Sequence, residues 1–209
     1  MYIDRADAGR ALAAAAILCA ATDPLVLGIP RGGVIVARIL AEALHADLDV
    51  IMAKKIGAPF NPEYAIAAVD PSGEILGDGP QWDSLRGHIM EQASQRRQEL
   101  QESLRLFRGG REMKPVAGRT VFLVDDGLAT GLTAMAAATY VRRLGPKEII
   151  LAVPVAPPDT LDAMRPLVDD IICPLSPRVF HSVGEWYVAF EQVDDQDVVK
   201  VLQEVSEAE

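Results

Sequence analysis

Five short runs of consecutive apolar residues mark this chain: Leu25 to Ile29, Leu48 to Ala53, Thr120 to Val124, Glu148 to Val153 and Asp169 to Cys173. Runs whose apolar residues are consecutive, rather than at every second position, suit strands buried on both faces. Between them the period lengthens. Gly33 to Leu44, Leu132 to Leu144 and Asp159 to Leu167 read as helices, the last two opened by a Thr-containing turn and by Pro158-Asp159. An amphipathic helix from Asp4 to about Ala21 leads into the first strand. Such alternation predicts an α/β fold whose mostly parallel, doubly wound sheet is wrapped by helices.

From Lys54 to Gly118 the pattern breaks. Gly57, Pro59, Pro62, Gly73, Gly77, Gly79 and Pro80 punctuate a predicted hairpin, Tyr64 to Asp70 with Glu74 to Leu76. Trp82 to Phe107 then predicts a long polar helix ending at Gly109-Gly110. Its arginines interleave with Glu91, Glu99 and Glu102, the pattern of a solvated helix laced with charge pairs. The expected organisation is one domain over 1–209, with an insertion at 54–118 and a small C-terminal region at 174–209.

Half of the 209 residues are hydrophobic, enough for one substantial core. The formal net charge of -10 argues against a general grip on nucleic acid, which needs clustered Lys and Arg. An anionic small ligand would need a local positive pocket. Cys19 and Cys173 stand far apart without metal-site spacing, so neither a disulfide framework nor a zinc site is expected. Ala11 to Ala21 has the length of a signal-peptide core, but Asp4 and Asp7 spoil a basic leader and Arg10 interrupts its start. No run approaches the roughly 20 apolar residues of a membrane span. A cytoplasmic protein with neither nucleic-acid nor membrane partners is expected.

The chemistry concentrates after the strand at Thr120 to Val124, which delivers Asp125 and Asp126 to the carboxyl edge of the sheet, where open α/β folds bind ligands. Two adjacent carboxylates repel each other, so something must satisfy them: sugar hydroxyls or a metal. Replacing both by Asn is expected to relieve that repulsion and leave the fold intact. Ala129, Thr130, Gly131, Leu132 and Thr133 follow as a small-residue turn opening a helix, where backbone N–H groups and Thr hydroxyls can converge on a phosphate. A second turn, Arg31-Gly32-Gly33, follows the first strand. Its glycines let amides approach an anion, and Arg31 offers a bidentate donor.

At these two segments the sequence resembles the type I phosphoribosyltransferases. The resemblance implies that Asp125 and Asp126 hold the ribose hydroxyls of 5-phosphoribosyl-1-pyrophosphate and, indirectly through them or water, a Mg²⁺ ion. It gives Ala129 to Thr133 the 5-phosphate, and Arg31, Gly32 and Gly33 the pyrophosphate, with Pro30 to Arg31 as a candidate cis peptide. Lys54 or Lys55 would assist, since adjacent strand residues face opposite ways. Ile56 to Tyr64 occupies the place of the family's mobile catalytic loop. Phe180, in a segment similar to the hood of the purine enzymes, would stack on a base. The resemblance further implies a homodimer and transfer of phosphoribosyl to a small-molecule, nucleobase-like acceptor. Regulators that bind phosphoribosyl pyrophosphate or a nucleotide without turnover share this fold and form the alternative. The chain departs from the oxopurine enzymes at Ala129, where they carry a carboxylate, and at Ala189, where they carry an acidic metal contact. It is nearer to a branch of unassigned substrate.

Overall fold

The computed structural model describes residues 1–19, 21–77 and 82–208. Along the chain run α1 (Arg5–Ala16), β1 (Leu25–Gly28), α2 (Gly32–Leu44), β2 (Asp47–Val50), β3 (Lys54–Ala58), β4 (Asn61–Val69), β5 (Ile75–Leu76) and α3 (Trp82–Phe107). Then follow β6 (Thr120–Val124), α4 (Leu132–Arg143), β7 (Glu148–Ala152), α5 (Pro158–Met164), β8 (Asp170–Ile172), a 3-10 turn at Val183–Trp186, and α6 (Asp195–Ala208).

The five apolar runs form one parallel sheet in the order β2-β1-β6-β7-β8. Alternate residues of β1, β6 and β7 enter two separate cores, while β2 contributes to the first. Val26, Val50, Phe122, Val124 and Ile150 meet α1, α2, α6 and the end of α3 on one face. Leu25, Leu27, Val121, Leu123 and Leu151 meet α4 and α5 on the other. This double burial explains why the runs are continuous: each such side chain contributes about 1.5–3 kcal/mol by leaving water. Because β1 leads to a helix on the first face and its neighbour β6 to one on the second, their outgoing loops diverge. A crevice opens there, at the switch point of the sheet.

The insertion is a second, antiparallel sheet, β3-β4-β5, covered by the first half of α3. Lys54 and Lys55 therefore begin β3; they do not close β2, which ends at Val50. The segment given the place of the family's mobile loop, Ile56 to Tyr64, is the end of β3, a turn and the start of β4. Gly57 and Pro62 read as breakers but fall beside a register shift, where a bulge tolerates them. Gly79 and Pro80 lie outside the described residues. Two helices are shorter than their patterns: α1 stops at Ala16, its sequel turning Leu18 into solvent, and α5 stops at Met164, with Arg165 still helical as its cap and Pro166, which has no N–H to donate, next in the chain.

The two ends of the chain meet beside the crevice. Tyr2 N–H donates to the Trp186 carbonyl at 2.8 Å, Val188 N–H to Tyr2 at 2.9 Å and Ala189 N–H to Ile3 at 2.8 Å.

Candidate active site

Gly131 caps α4 in the left-handed region, at φ 73°, and a Cβ there would lie 2.8 Å from the Thr160 methyl. Thr160, buried on α5, donates to the Ala129 carbonyl at 2.5 Å, and Leu128 N–H donates to Val155 at 2.9 Å. The loop is thus braced from behind, while Ala129 and Thr130 remain exposed. First-turn amides of a helix have no carbonyl one turn back, so those of α4 are donors in want of an acceptor, and the helix dipole favours an anion.

The neighbouring carboxylates are not equivalent. Asp125 accepts from the Asp126 amide at 2.8 Å through Oδ1, and Gly33 packs against it so closely that a Cβ would sit 2.7 Å from its Cα. Burial pushes the Asp125 carboxyl well above its usual range, and the charge of Asp126 adds to this; the Lys55 ammonium opposes it. Asp126 has a cation of its own. Arg5 Nε donates to Asp126 Oδ2 at 2.7 Å, with both side chains largely buried, and Tyr187 Oη donates to the Asp126 carbonyl at 2.5 Å. Burial and the charge of Asp126 also push the Tyr187 phenol upward, so it stays a donor. The expectation that both aspartates repel without compensation is corrected here: Asp126 is paired with an arginine, and Asp125 accepts a backbone amide but has no ion pair of its own among the described residues.

Around this centre, the structure brings Gly32 and Gly33 onto the two carboxylates and Lys55 near Asp125. The charge of Lys54 instead helps to lower the carboxyl pKa of Glu99 on α3, behind the larger effect of Arg96, so the two lysines act on different neighbours. The Pro30–Arg31 peptide is cis. The Arg31 guanidinium lies 3.6 Å from Asp195 at the start of α6, half exposed, and with Arg5, Gly32 and residues 190–193 it lines a cavity of about 490 Å³. Phe180 stacks on Trp186, ring centroids 6.2 Å apart and 18° between planes, within the cluster that holds Tyr2 and Tyr187. Among the described residues no three His, Cys, Asp or Glu groups converge as a metal cage, and no helix is long and apolar enough to cross a membrane.

Arg5, Tyr187 and Thr160 escape the sequence reading. For Arg5 one signal was present: a cation in the first turn opposes the helix dipole, so its position there calls for another partner.

Residues 4–189 match the family model described as a phosphoribosyl transferase domain. Two curated relatives from Mycobacterium tuberculosis strains, each named "Putative phosphoribosyl transferase", are 40% identical over 209 residues, covering 97% of this chain and 46% of theirs. The chain thus spans about half the length of the curated relatives it matches. A crystal structure of a Thermus thermophilus protein is 38% identical, superposes with a TM-score of 0.83 and covers 98% of this chain and 99% of that one. An Aquifex aeolicus protein at 11% identity and TM-score 0.51, covering 82% and 72%, shares the fold alone. With the family model spanning both motif loops and the sheet between them, the chain belongs to the phosphoribosyltransferase family and has its type I fold.

Proposed function

We propose that this chain transfers the 5-phosphoribosyl group from phosphoribosyl pyrophosphate to a nucleobase-like acceptor and releases pyrophosphate. The observation that carries this reading is the convergence, at one switch point, of a braced helix N-terminus, a pair of largely buried carboxylates, one of them held by Arg5, and a glycine turn packed on both. Phosphate needs the first, ribose hydroxyls the second, and a bulky anionic leaving group the third.

As pyrophosphate leaves, positive charge develops at C1 of the ribose. Asp125 and Asp126 orient the sugar and support that charge, while Arg31, the Gly32 and Gly33 amides and Lys55 stabilise the departing oxygens. Asp125 and Asp126 offer the hard oxygen donors that Mg²⁺ takes, but one Asp126 oxygen is held by Arg5. They fit as outer supports for an ion held mainly by the ligand's own oxygens. When bound, that ion neutralises phosphate charge.

Binding without turnover is a second reading, favoured by one observation: Arg31 pairs with Asp195 and not with the carboxylates. Pyrophosphate release from phosphoribosyl pyrophosphate, measured with a panel of nucleobases, separates the two. Release dependent on one base is the expected result; tight binding with no release across the panel would favour the second reading.

A further inference from the structure

Arg5 stands 121 positions from Asp126 in sequence, yet its guanidinium is fixed by three separate groups. Nε donates to Asp126 Oδ2 at 2.7 Å, Nη1 donates to the Glu191 carbonyl at 2.6 Å, and Cζ lies 4.0 Å from the centroid of the Phe190 ring. Its side chain is only 11% exposed. Gly32 closes the remaining side: a Cβ there would fall 1.9 Å from Asp126 Oδ2 and 2.6 Å from Arg5 Nε. A flexible side chain held from three sides has one rotamer, and it imposes one orientation on the carboxylate it grips.

Joining the two ends of the chain does not require this arrangement. The backbone bonds of Tyr2 and Ile3 with Trp186, Val188 and Ala189 already join them, and Tyr2 Oη adds a bond to the Pro154 carbonyl at 2.9 Å. Arg5 is instead aimed at one of the two carboxylates assigned to the sugar. Resting on that assignment, we propose that Arg5 is a positioning residue of the sugar subsite: by taking Asp126 Oδ2 it leaves a single oriented oxygen, Oδ1, for one ribose hydroxyl. Asp125 serves the other. The same contact ties the sugar subsite to residues 190 and 191, so the C-terminal segment and the ribose site share one anchor.

The role predicts discrimination, not mere affinity. The wild-type protein is expected to prefer ribose 5-phosphate over both 2-deoxyribose 5-phosphate and 3-deoxyribose 5-phosphate by about tenfold or more, the worth of a hydrogen bond to a charged group. In Arg5→Met the preference over one of these two deoxy sugars collapses toward unity, while affinity for inorganic phosphate, which uses only the α4 loop, is unchanged. Arg5→Lys keeps a cation over Phe190 but cannot hold Asp126 and the Glu191 carbonyl with one fork, so an intermediate preference is expected. It also serves if Arg5→Met fails to fold. A folded variant of either kind that retains the full preference over both deoxy sugars overturns the proposal. A wild-type protein that binds none of the sugar phosphates overturns the phosphoribosyl reading itself, and the proposal with it.

Discussion

Asp125 and Asp126 carry the same side chain at adjacent positions, but the fold gives one of them an arginine and denies it to the other. Their substitutions should therefore move stability in opposite directions. Asp125 has a raised carboxyl pKa, so the native state binds its proton more tightly than the unfolded chain does. Native stability then falls as pH rises from the unfolded value of about 3.9 through the folded one. Asp125→Asn removes that penalty: it should melt higher than wild type at pH 7, with the advantage shrinking toward pH 4. Asp126→Asn keeps an acceptor for Arg5 but loses the charge, at a cost of about 1–2 kcal/mol, or a melting point lower by roughly 2–8 °C. Thermal melts of the two variants across that pH range decide the matter, and equal shifts of the same sign would contradict the account. The sequence presents only an Asp-Asp pair with its mutual repulsion; the asymmetry depends on a residue at the other end of the chain, which no local pattern encodes.

Among the elements, strands β1, β6, β7 and the helix α3 were legible within a residue or so, because double burial and long polar periodicity leave strong marks. The β3–β4 hairpin was not, since Gly57, Pro59 and Pro62 cluster about its turn and β3 shows no continuous apolar run. The approach of α2 to the end of β6 was not legible: the two glycines after β1 suggest amides open to an anion, and only the structure shows them packed against the protein itself. A Cβ on Gly33 would meet backbone, Asp125 Cα at 2.7 Å and the Val124 carbonyl at 2.9 Å. On Gly32 it would meet the ends of two side chains. Gly33→Ala must push the helix off the sheet, costing about 1–3 kcal/mol and lowering the melting point by roughly 2–12 °C. Gly32→Ala should displace the Arg5–Asp126 pair with a smaller loss of stability and a clear loss of ribose 5-phosphate affinity. Melting and titration of both variants test this; Gly32→Ala with wild-type affinity would show that the pair has no part in sugar binding.

Across the whole molecule, two cores grip one sheet from opposite faces, and the loops that part at its switch point carry both motif segments. That much follows from strand order. Groups from the remotest parts of the chain meet the two carboxylates: Arg5 from α1 and Tyr187 from the C-terminal segment, with Phe190 packed on Arg5. The central claim is that this meeting point holds the phosphoribosyl group, with Asp125 as its least compensated carboxylate. Calorimetric titration of phosphoribosyl pyrophosphate with magnesium into the wild-type protein and Asp125→Asn tests it most directly, because this substitution is expected to leave a folded and more stable protein. Saturable binding by the wild type, weakened about 10- to 100-fold in the variant, is the predicted result; binding undiminished in a folded Asp125→Asn protein, or absent from the wild type, would contradict it.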